Sequence, residues 1–387
     1  MSDMIPLSVP SIQGNEWKYV KECLDTEWVS SVGPFVERFE KEICDFSGSA
    51  FSIACVNGTA GLQVALRIAG VEPVDEVIAP TVTFIAPINA VRYLGADSVF
   101  MDCDQYYNID AEKTIQFIKN ETSFIYGYSF NRRTKKKISA LIVVHVFGNL
   151  CYLDELLPIC QERNIKVIED ATESLGSFYS KGNYSNKHAG TIGEIGVYSF
   201  NGNKIITTGG GGMIVTQNKR YAQQAKYLTT QAKDDHIRFI HNEVGYNFRL
   251  TNLQAAVGVA QLEKLSDFIK IKKSNYQIYK KHIQNIEGLC LASTPNYADC
   301  NHWLYCLQID KIKYGKDREQ LMLHLKENKI ETRPIWHLNH LQKPYRHCQS
   351  YQIERAFGML EKTLNIPCSV NLKKAQIDVI LKALQNC

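Results

Sequence analysis

The sequence predicts an α/β protein with a mostly parallel central sheet and a smaller C-terminal α+β domain. Short apolar runs alternate with amphipathic segments between residues 51 and 231, and such alternation is typical of a parallel sheet covered by helices on both faces. The length of 387 residues fits a large domain joined to a smaller one better than a single small core. We expect a large domain over 1–250, a bridging helix over 251–284 and a small domain over 285–387.

Composition and charge exclude several classes of protein. Hydrophobic residues make up 45% of the chain and charged residues 22%, which is ordinary for a globular protein. The formal net charge is only +4, whereas most nucleic-acid-binding proteins have a clear excess of basic residues. No apolar run approaches the roughly 18 residues of a membrane span, and the N-terminus has no signal pattern. We therefore expect a cytoplasmic protein without nucleic-acid or membrane partners.

The twelve cysteines are scattered along the chain. They form no C-x-x-C pair and no cysteine–histidine cluster with the spacing of a zinc site. We expect reduced thiols that behave as small apolar residues, and no metal site.

The individual elements follow from periodicity and turn residues. Two amphipathic helices, at 15–26 and 35–46, flank a turn-rich linker at 28–34. Strands are predicted at 51–56, 76–79, 97–101, 140–145, 165–169, 195–200 and 213–216. Helices are predicted between them at 60–69, 84–93, 111–119, 153–163 and 219–231.

The remaining chain contains a long helix and a basic run. The capping box Thr251-x-x-Gln254 begins a helix expected to reach about residue 284, with room for a break. Further helices are predicted at 316–328 and 373–385. The run Arg132–Lys137 is interpreted as a solvated loop rather than a binding patch, because isolated charge runs are common on surfaces.

One lysine stands in an apolar and glycine-rich stretch. Lys204 ends the segment 199–204, which leads into four consecutive glycines at 209–212, and no other charge lies between Glu194 and Lys219. Burial lowers the pKa of an amine, and the neutral amine is the form that attacks a carbonyl. We predict that Lys204 holds pyridoxal 5′-phosphate (PLP) as a Schiff base. The alternative is a lysine at a strand end before a flexible loop.

A PLP site also needs an acid that faces the pyridine nitrogen. Asp170 follows the strand at 165–169, at the carboxyl edge where ligands of open α/β sheets bind. Two alternatives remain open. Asp170 could be a helix N-cap. Glu169 could be the acid instead, since only one of the two neighbours can point into the site.

The cofactor's phosphate and ring need partners as well. The strand–helix turn Asn57-Gly58-Thr59-Ala60 offers free N–H groups and the positive end of a helix dipole. Ser199 is a candidate for a further hydroxyl, although such serines are usually caps or turn residues. Phe84 is the candidate for the surface against the ring, with a core phenylalanine as the alternative.

With these residues in place, the chain resembles the DegT/StrS family of nucleotide-sugar aminotransferases, which have the aspartate-aminotransferase fold (PLP-dependent transferase fold type I). The resemblance extends over nearly the whole chain. Besides the lysine stretch and Asp170, it rests on Trp28-Val-Ser-Ser31, Asn57-Gly-Thr-Ala-Gly61, Pro80-Thr-Val-Thr-Phe84, Asp102-Cys-Asp104, Val144-His-Val-Phe-Gly148 and Gly245-Tyr-Asn-Phe-Arg-Leu250. Lys204 argues against the dehydratases of the family, which use histidine there.

The resemblance implies a role for each candidate. Lys204 would bind PLP and act as the acid and base, Asp170 would face the pyridine nitrogen, and Phe84 would lie against the ring. The phosphate would be held by Gly58, Thr59, Ala60 and Ser199.

The resemblance also implies a homodimer with shared active sites. Asn247 would reach the phosphate from the neighbouring subunit. Glu173 stands where many members carry Gln or His near the ring hydroxyl, and this leaves its ionisation state open.

The implied reaction moves the amino group of L-glutamate onto a nucleotide-linked keto sugar. The run 200–213, followed by Thr230-Gln-Ala232, is most similar to members that aminate C4 of a UDP-2-acetamido-4-keto-2,4,6-trideoxyhexose in bacillosamine and legionaminic acid pathways for bacterial surface glycans. The candidates for substrate contacts are Trp28, Ser30, Arg249, Arg333 and His337.

Alternatives remain open on the same fold. They are a C3-aminating enzyme, a GDP- or dTDP-sugar aminotransferase, a PLP-dependent dehydratase and a non-catalytic PLP-binding regulatory protein. A nicotinamide enzyme is disfavoured, because no G-x-G-x-x-G follows the first strand.

Overall fold

The computed structural model describes residues 4–235 and 237–385, which form three sheets and the helices around them. In chain order the strands of these ranges are β1 Phe51–Cys55, β2 Glu76–Pro80, β3 Asp97–Met101, β4 Thr122–Ile125, β5 Tyr128–Asn131, β6 Lys137–Val144, β7 Lys166–Asp170, β8 Phe178–Tyr179, β9 Ile195–Ser199, β10 Gly212–Thr216, β11 Leu289–Leu291, β12 Ala298–Asp299, β13 Tyr305–Ile309, β14 Arg333–Pro334, β15 Ser350–Tyr351 and β16 Thr363–Ile366. The helices are α1 Glu16–Asp25, α2 Pro34–Ser47, α3 Gly58–Ile68, α4 Ala86–Tyr93, α5 Ala111–Asn120, α6 Leu156–Glu162, α7 Lys219–Thr229, α8 Asn252–Leu262, α9 Leu265–Ile283, α10 Lys311–Tyr314, α11 Arg318–Glu327, α12 Arg355–Lys362 and α13 Lys374–Gln385.

The large sheet is mostly parallel, as predicted. Its main path runs β1-β10-β9-β7-β6-β2-β3-β15, and every neighbouring pair from β9 to β15 is parallel. Only β10 and β1, at one edge of this path, run antiparallel to their neighbours. Because helices cover both faces, strands such as β2 are buried along their whole length. In this register β7 and β9 end side by side, which brings Asp170 and Ser199 to the same edge.

The segment before the basic run contains two strands that were not predicted from the sequence. Strands β4 and β5 form an antiparallel hairpin, and β5 continues into β6. The hairpin turn contains Tyr126 and Gly127, with φ angles of 52° and 82°, a combination typical of the tight turns that match strand twist. Lys136 Nζ lies 2.6 Å from an Asp97 carboxylate oxygen. The run itself connects β5 to β6, and residues 132–136 form an exposed or half-buried turn, in agreement with the predicted loop.

The bridging helix is divided into α8 and α9, with a break at residues 263–264. The predicted capping box of Thr251 and Gln254 is present at its start. Helix α8 packs closely on α2, since a Cβ atom on Gly258 would lie 2.7 Å from the Phe39 ring. Buried Lys272 of α9 donates a hydrogen bond to the carbonyl of Cys368, which ties the bridge to the C-terminal region.

The C-terminal region has its own α+β core. Its four-stranded antiparallel sheet has the order β11-β13-β16-β14, and α11 and α13 contribute to the same apolar cluster. Backbone pairings join the C-terminal region to the rest of the chain: Ile5 bridges Ile330, β12 pairs with β8, and β15 pairs with β3 of the large sheet. Within the described ranges, no helix is long and apolar enough to cross a membrane.

Candidate active site

A cavity of about 760 Å³ opens where β7 and β9 end. Its wall combines these strand ends, the N-terminus of α3 and residues from the C-terminal region. The sequence-predicted residues that line it are Gly58, Thr59, Ala60, Phe84, Asp170, Glu173, Ser199, Lys204 and Arg333. Segments far apart in the chain thus meet in one place, as the parallel topology requires.

Of the two neighbouring acids Glu169 and Asp170, Asp170 is the one that lines this cavity. Its side chain is 2% exposed, and its carboxylate accepts a hydrogen bond from the Thr172 N–H at 3.1 Å. Burial raises the pKa of Asp170, while the Thr172 contacts and the Lys204 amine act in the opposite direction. No helix begins directly after Asp170 in the described chain, so the helix N-cap interpretation is wrong.

Glu169 has a different, structural position. Its carboxylate accepts hydrogen bonds from the backbone N–H groups of Gly190 and Gly193 and contacts His145 Nε2 at 2.9 Å. Because the Cys151 N–H donates to His145 Nδ1, the ring proton lies on Nε2 and is donated to Glu169. Burial alone would raise the pKa of Glu169, but these hydrogen bonds outweigh it and lower the pKa. Glu169 is therefore not the acid of the cavity.

Lys204 and Glu173 lie together in the cavity wall. Lys204 Nζ is 3.6 Å from Glu173 Oε1, and the two side chains are 13% and 3% exposed. The other oxygen of Glu173 accepts the backbone N–H of Phe147 at 2.8 Å. Burial raises the pKa of Glu173 to about 7, although the Lys204 amine opposes this shift. The lysine was expected among apolar residues, and the nearby carboxylate is a finding of the structure.

The turn before α3 forms a cradle for an anion. The Asn57 side chain caps the helix by accepting the Ala60 N–H at 2.8 Å, and the first N–H groups of a helix have no partner inside it. A Cβ atom on Gly58 would lie 3.0 Å from Ser199 Cβ, so a larger residue would fill the space between the turn and the serine. Gly212 lets strand β10 lie close to the backbone of this turn, because a Cβ atom on Gly212 would lie 2.6 Å from the Asn57 carbonyl carbon.

These groups fit PLP. The described cavity presents one lysine amine, two buried carboxyl groups and a helix N-terminus whose glycine leaves room for a phosphate. The residues that would hold the cofactor are Lys204, Asp170 and the phosphate cradle at 57–60 with Ser199.

An aromatic wall completes the cavity. Phe84 is 52% exposed and its ring lies 6.4 Å from that of Trp336, so it is not a core phenylalanine. Trp336 stacks on Phe147 with ring centroids 4.8 Å apart. Trp303 also lines the cavity and faces Lys204. Phe147 lies in the stretch 144–148 that supports the resemblance, and Trp336 directly precedes the predicted His337, whereas Trp303 carries no local sequence signal.

Other predicted residues lie outside the cavity wall of this chain. Trp28 and Ser30 belong to the linker that buried Asn252 binds through its side chain and its N–H. Asn247 is exposed, and its neighbour in an isolated β-bridge is Thr230. The predicted residues that do not line the described cavity are Trp28, Ser30, Asn247, Arg249 and His337.

Comparisons with known proteins agree with this geometry. A model of the DegT/DnrJ/EryC1/StrS aminotransferase family matches residues 10–385. The chain is 36% identical over 390 residues to GDP-perosamine synthase of Caulobacter vibrioides, covering 99% of each chain. It is 32% identical over 391 residues to the putative pyridoxal phosphate-dependent aminotransferase EpsN of Bacillus subtilis, covering 99% of this chain and 96% of the other. Among solved structures, Helicobacter pylori PseC, an aminotransferase involved in the biosynthesis of pseudoaminic acid, superposes with a TM-score of 0.88 at 20% identity and 99% coverage of both chains.

Proposed function

The chain belongs to the DegT/DnrJ/EryC1/StrS aminotransferase family, and on that premise we propose that it aminates the C4 ketone of a GDP-linked 4-keto-6-deoxy sugar with L-glutamate as donor. It is a PLP-dependent sugar aminotransferase. The single observation that carries the GDP assignment is the 36% identity, over nearly the full length of both chains, to an enzyme named for a GDP-linked sugar, GDP-perosamine synthase. The UDP-linked sugar expected from the run 200–213 is the second candidate and rests on that motif.

Asp170 suits the role of the acid opposite the pyridine nitrogen. When bound, PLP supplies an electron sink for a carbanion next to the transferred nitrogen. A desolvated carboxylate is unfavourable without a charged partner, and a protonated ring nitrogen is such a partner. Asp170 would thus hold the proton that makes the ring electron-withdrawing.

Lys204 suits the role of the group that moves protons. Its Nζ is the only lysine amine in the wall of the described cavity. After a substrate amine has replaced it, the free Nζ would take the Cα proton of glutamate and later return a proton to the sugar carbon. Glu173, 3.6 Å away, would keep this amine within reach of the reacting carbon.

Two substrates would use this cavity in turn. Glutamate carries carboxylates and the sugar nucleotide carries a diphosphate. Arg333 is the only arginine in the described cavity wall, and its side chain is 68% exposed and 3.0 Å from Glu331. A guanidinium in that position suits either anion, so we assign Arg333 to substrate binding.

The active unit would be a homodimer. Asn247 is exposed and lies outside the cavity wall of its own chain, so it would reach a cofactor phosphate only from a second copy. Light scattering, together with an Asn247→Ala variant that weakens PLP binding without changing the fold, would test this arrangement.

The test of the function is an absorbance spectrum of PLP-loaded protein before and after L-glutamate. The visible band of the bound cofactor should bleach while 2-oxoglutarate appears. The Lys204→Ala variant should show neither the bleaching nor the formation of 2-oxoglutarate. A GDP-linked 4-keto-6-deoxyhexose should then be aminated with a higher kcat/KM than UDP-linked keto sugars. A band that never bleaches would contradict the aminotransferase reaction, whereas a preference for the UDP sugar would contradict only the nucleotide.

A further inference from the structure

We propose that Trp303 is a positioning residue that holds the amine and the loop of Lys204 in the orientation needed for catalysis. This inference rests on the proposed role of Lys204 and concerns a residue outside the lysine stretch. Trp303 lies just before β13 of the C-terminal sheet, about a hundred positions from Lys204 in the chain.

The indole face contacts the amine directly. Lys204 Nζ lies 4.2 Å from the ring centroid of Trp303, well inside the range of a cation–π contact, and tryptophan is the best aromatic partner for a cation. The same nitrogen lies 3.6 Å from Glu173 Oε1. The amine therefore contacts both a carboxyl group and an aromatic face.

The indole N–H fixes the backbone beside the lysine. Trp303 Nε1 donates a hydrogen bond to the carbonyl of Asn203 at 2.7 Å. One side chain thus contacts both the free end of Lys204 and the peptide that precedes it. Because Trp303 is only 3% exposed, its own orientation is fixed by packing, and its ring stacks on Phe147 at 6.4 Å.

The segment around Trp303 also holds the partner carboxylate. The Trp303 N–H donates to Asn301 Oδ1 at 2.9 Å, and Asn301 Nδ2 donates to the carbonyl of Glu173 at 3.0 Å. Phe147, which stacks on Trp303, gives its N–H to the Glu173 carboxylate. Residues 301–303, which belong to the C-terminal region, therefore contact both members of the Lys204–Glu173 pair.

A residue that only fills space would not need this arrangement. A buried leucine would supply similar apolar contact, but it has neither a face that attracts a cation nor an N–H for Asn203. The positioning role thus predicts a defect at Lys204 itself, and a packing role predicts a general loss of cofactor and stability.

The experiment measures how fast Lys204 becomes linked to PLP. PLP is added to cofactor-free protein, borohydride is added at intervals, and the reduced linkage, with hydride on carbon and a proton on nitrogen, is quantified at Lys204 by mass spectrometry. Total bound PLP is measured in parallel by gel filtration. The variants are Trp303→Leu, which loses both contacts, and Trp303→Phe, which keeps a ring face but loses the N–H. Phe117→Leu is the control for lost aromatic packing, because Phe117 is buried in α5 and does not line the cavity.

We expect Trp303→Leu to form the linkage about tenfold more slowly, the size expected when the hydrogen bond that orients the backbone beside Lys204 is lost. Trp303→Phe should show an intermediate rate, and Phe117→Leu should match the wild type in this assay. Wild-type rates in both Trp303 variants would overturn the proposal, and so would a change confined to KM for the sugar nucleotide. If Trp303→Leu does not fold, the comparison of Trp303→Phe with the wild type decides the matter. Failure of the wild-type protein to link PLP to Lys204 would instead contradict the proposed function.

Discussion

Glu173→Gln should remove a pH-dependent loss of stability from the cofactor-free protein. Burial raises the pKa of Glu173 from its ordinary 4.5 to about 7 in the folded state, with the Lys204 amine as the main opposing influence. Between these two values the folded protein keeps the proton while the unfolded chain has released it. Stability contributed by this group therefore falls as the pH rises from 4.5 to about 7, and it is constant above that range.

The size of this effect follows from the two pKa values. At about 1.4 kcal/mol per pH unit, the difference corresponds to about 3 kcal/mol of unfolding free energy. The glutamine amide of the variant has no proton to release, and its oxygen can still accept the Phe147 N–H. The variant should thus gain about 3 kcal/mol relative to the wild type across this window.

The assay is urea unfolding of both proteins, without PLP, at several values between about pH 5 and about pH 8. Comparing the two curves cancels the titration of all other groups. Glu287→Gln, at an exposed position, is the control and should run parallel to the wild type. The assignment of a buried carboxyl that resists ionisation would be refuted if the unfolding free energies of Glu173→Gln and the wild type changed in parallel with pH. It would also be refuted if the variant gained stability relative to the wild type towards low pH.

Three further predictions concern the site and the linker. Asp170→Asn should lose most of kcat while circular dichroism stays unchanged, because the amide cannot hold a proton on the ring nitrogen; an unchanged kcat would identify another acid. Gly58→Ala should weaken PLP binding in an equilibrium titration, since the added Cβ would lie 3.0 Å from Ser199 Cβ, and an unaltered affinity would place the phosphate elsewhere. Asn252→Ala should cost about 1–3 kcal/mol of unfolding free energy in urea, because the buried amide binds the Trp28 carbonyl and accepts the Phe35 N–H; a smaller loss would mean that the linker is held by other contacts.

Local signals explain why much of the site was predictable. Asp170, Ser199 and the turn at 57–60 each occur where a strand ends, and a parallel sheet brings such ends to one edge. The capping box at Thr251 likewise depends only on residues three positions apart. The hairpin of β4 and β5 was missed because its turn, Tyr126-Gly127, lacks the Asn-Gly or Asp-Gly pair that usually marks it.

The choice between Glu169 and Asp170 shows where sequence reasoning stops. Neighbours in a strand point to opposite faces, so the sequence establishes that only one of them reaches the cavity. Which one it is depends on the loop at 190–193, whose N–H groups surround Glu169 and stabilise its charge. That loop has no signature of its own, and its contacts arise only from the folded chain.

Trp303 differs from these residues because its position depends on tertiary packing alone. It reaches Lys204 through a fold in which the C-terminal segment 301–303 returns to the strand ends of the large sheet. The lysine motif therefore specifies which residue carries the amine, but not the direction in which the amine points. In the structure the amine contacts both Glu173 and Trp303, so both parts of the chain contribute to the geometry of a single nitrogen atom.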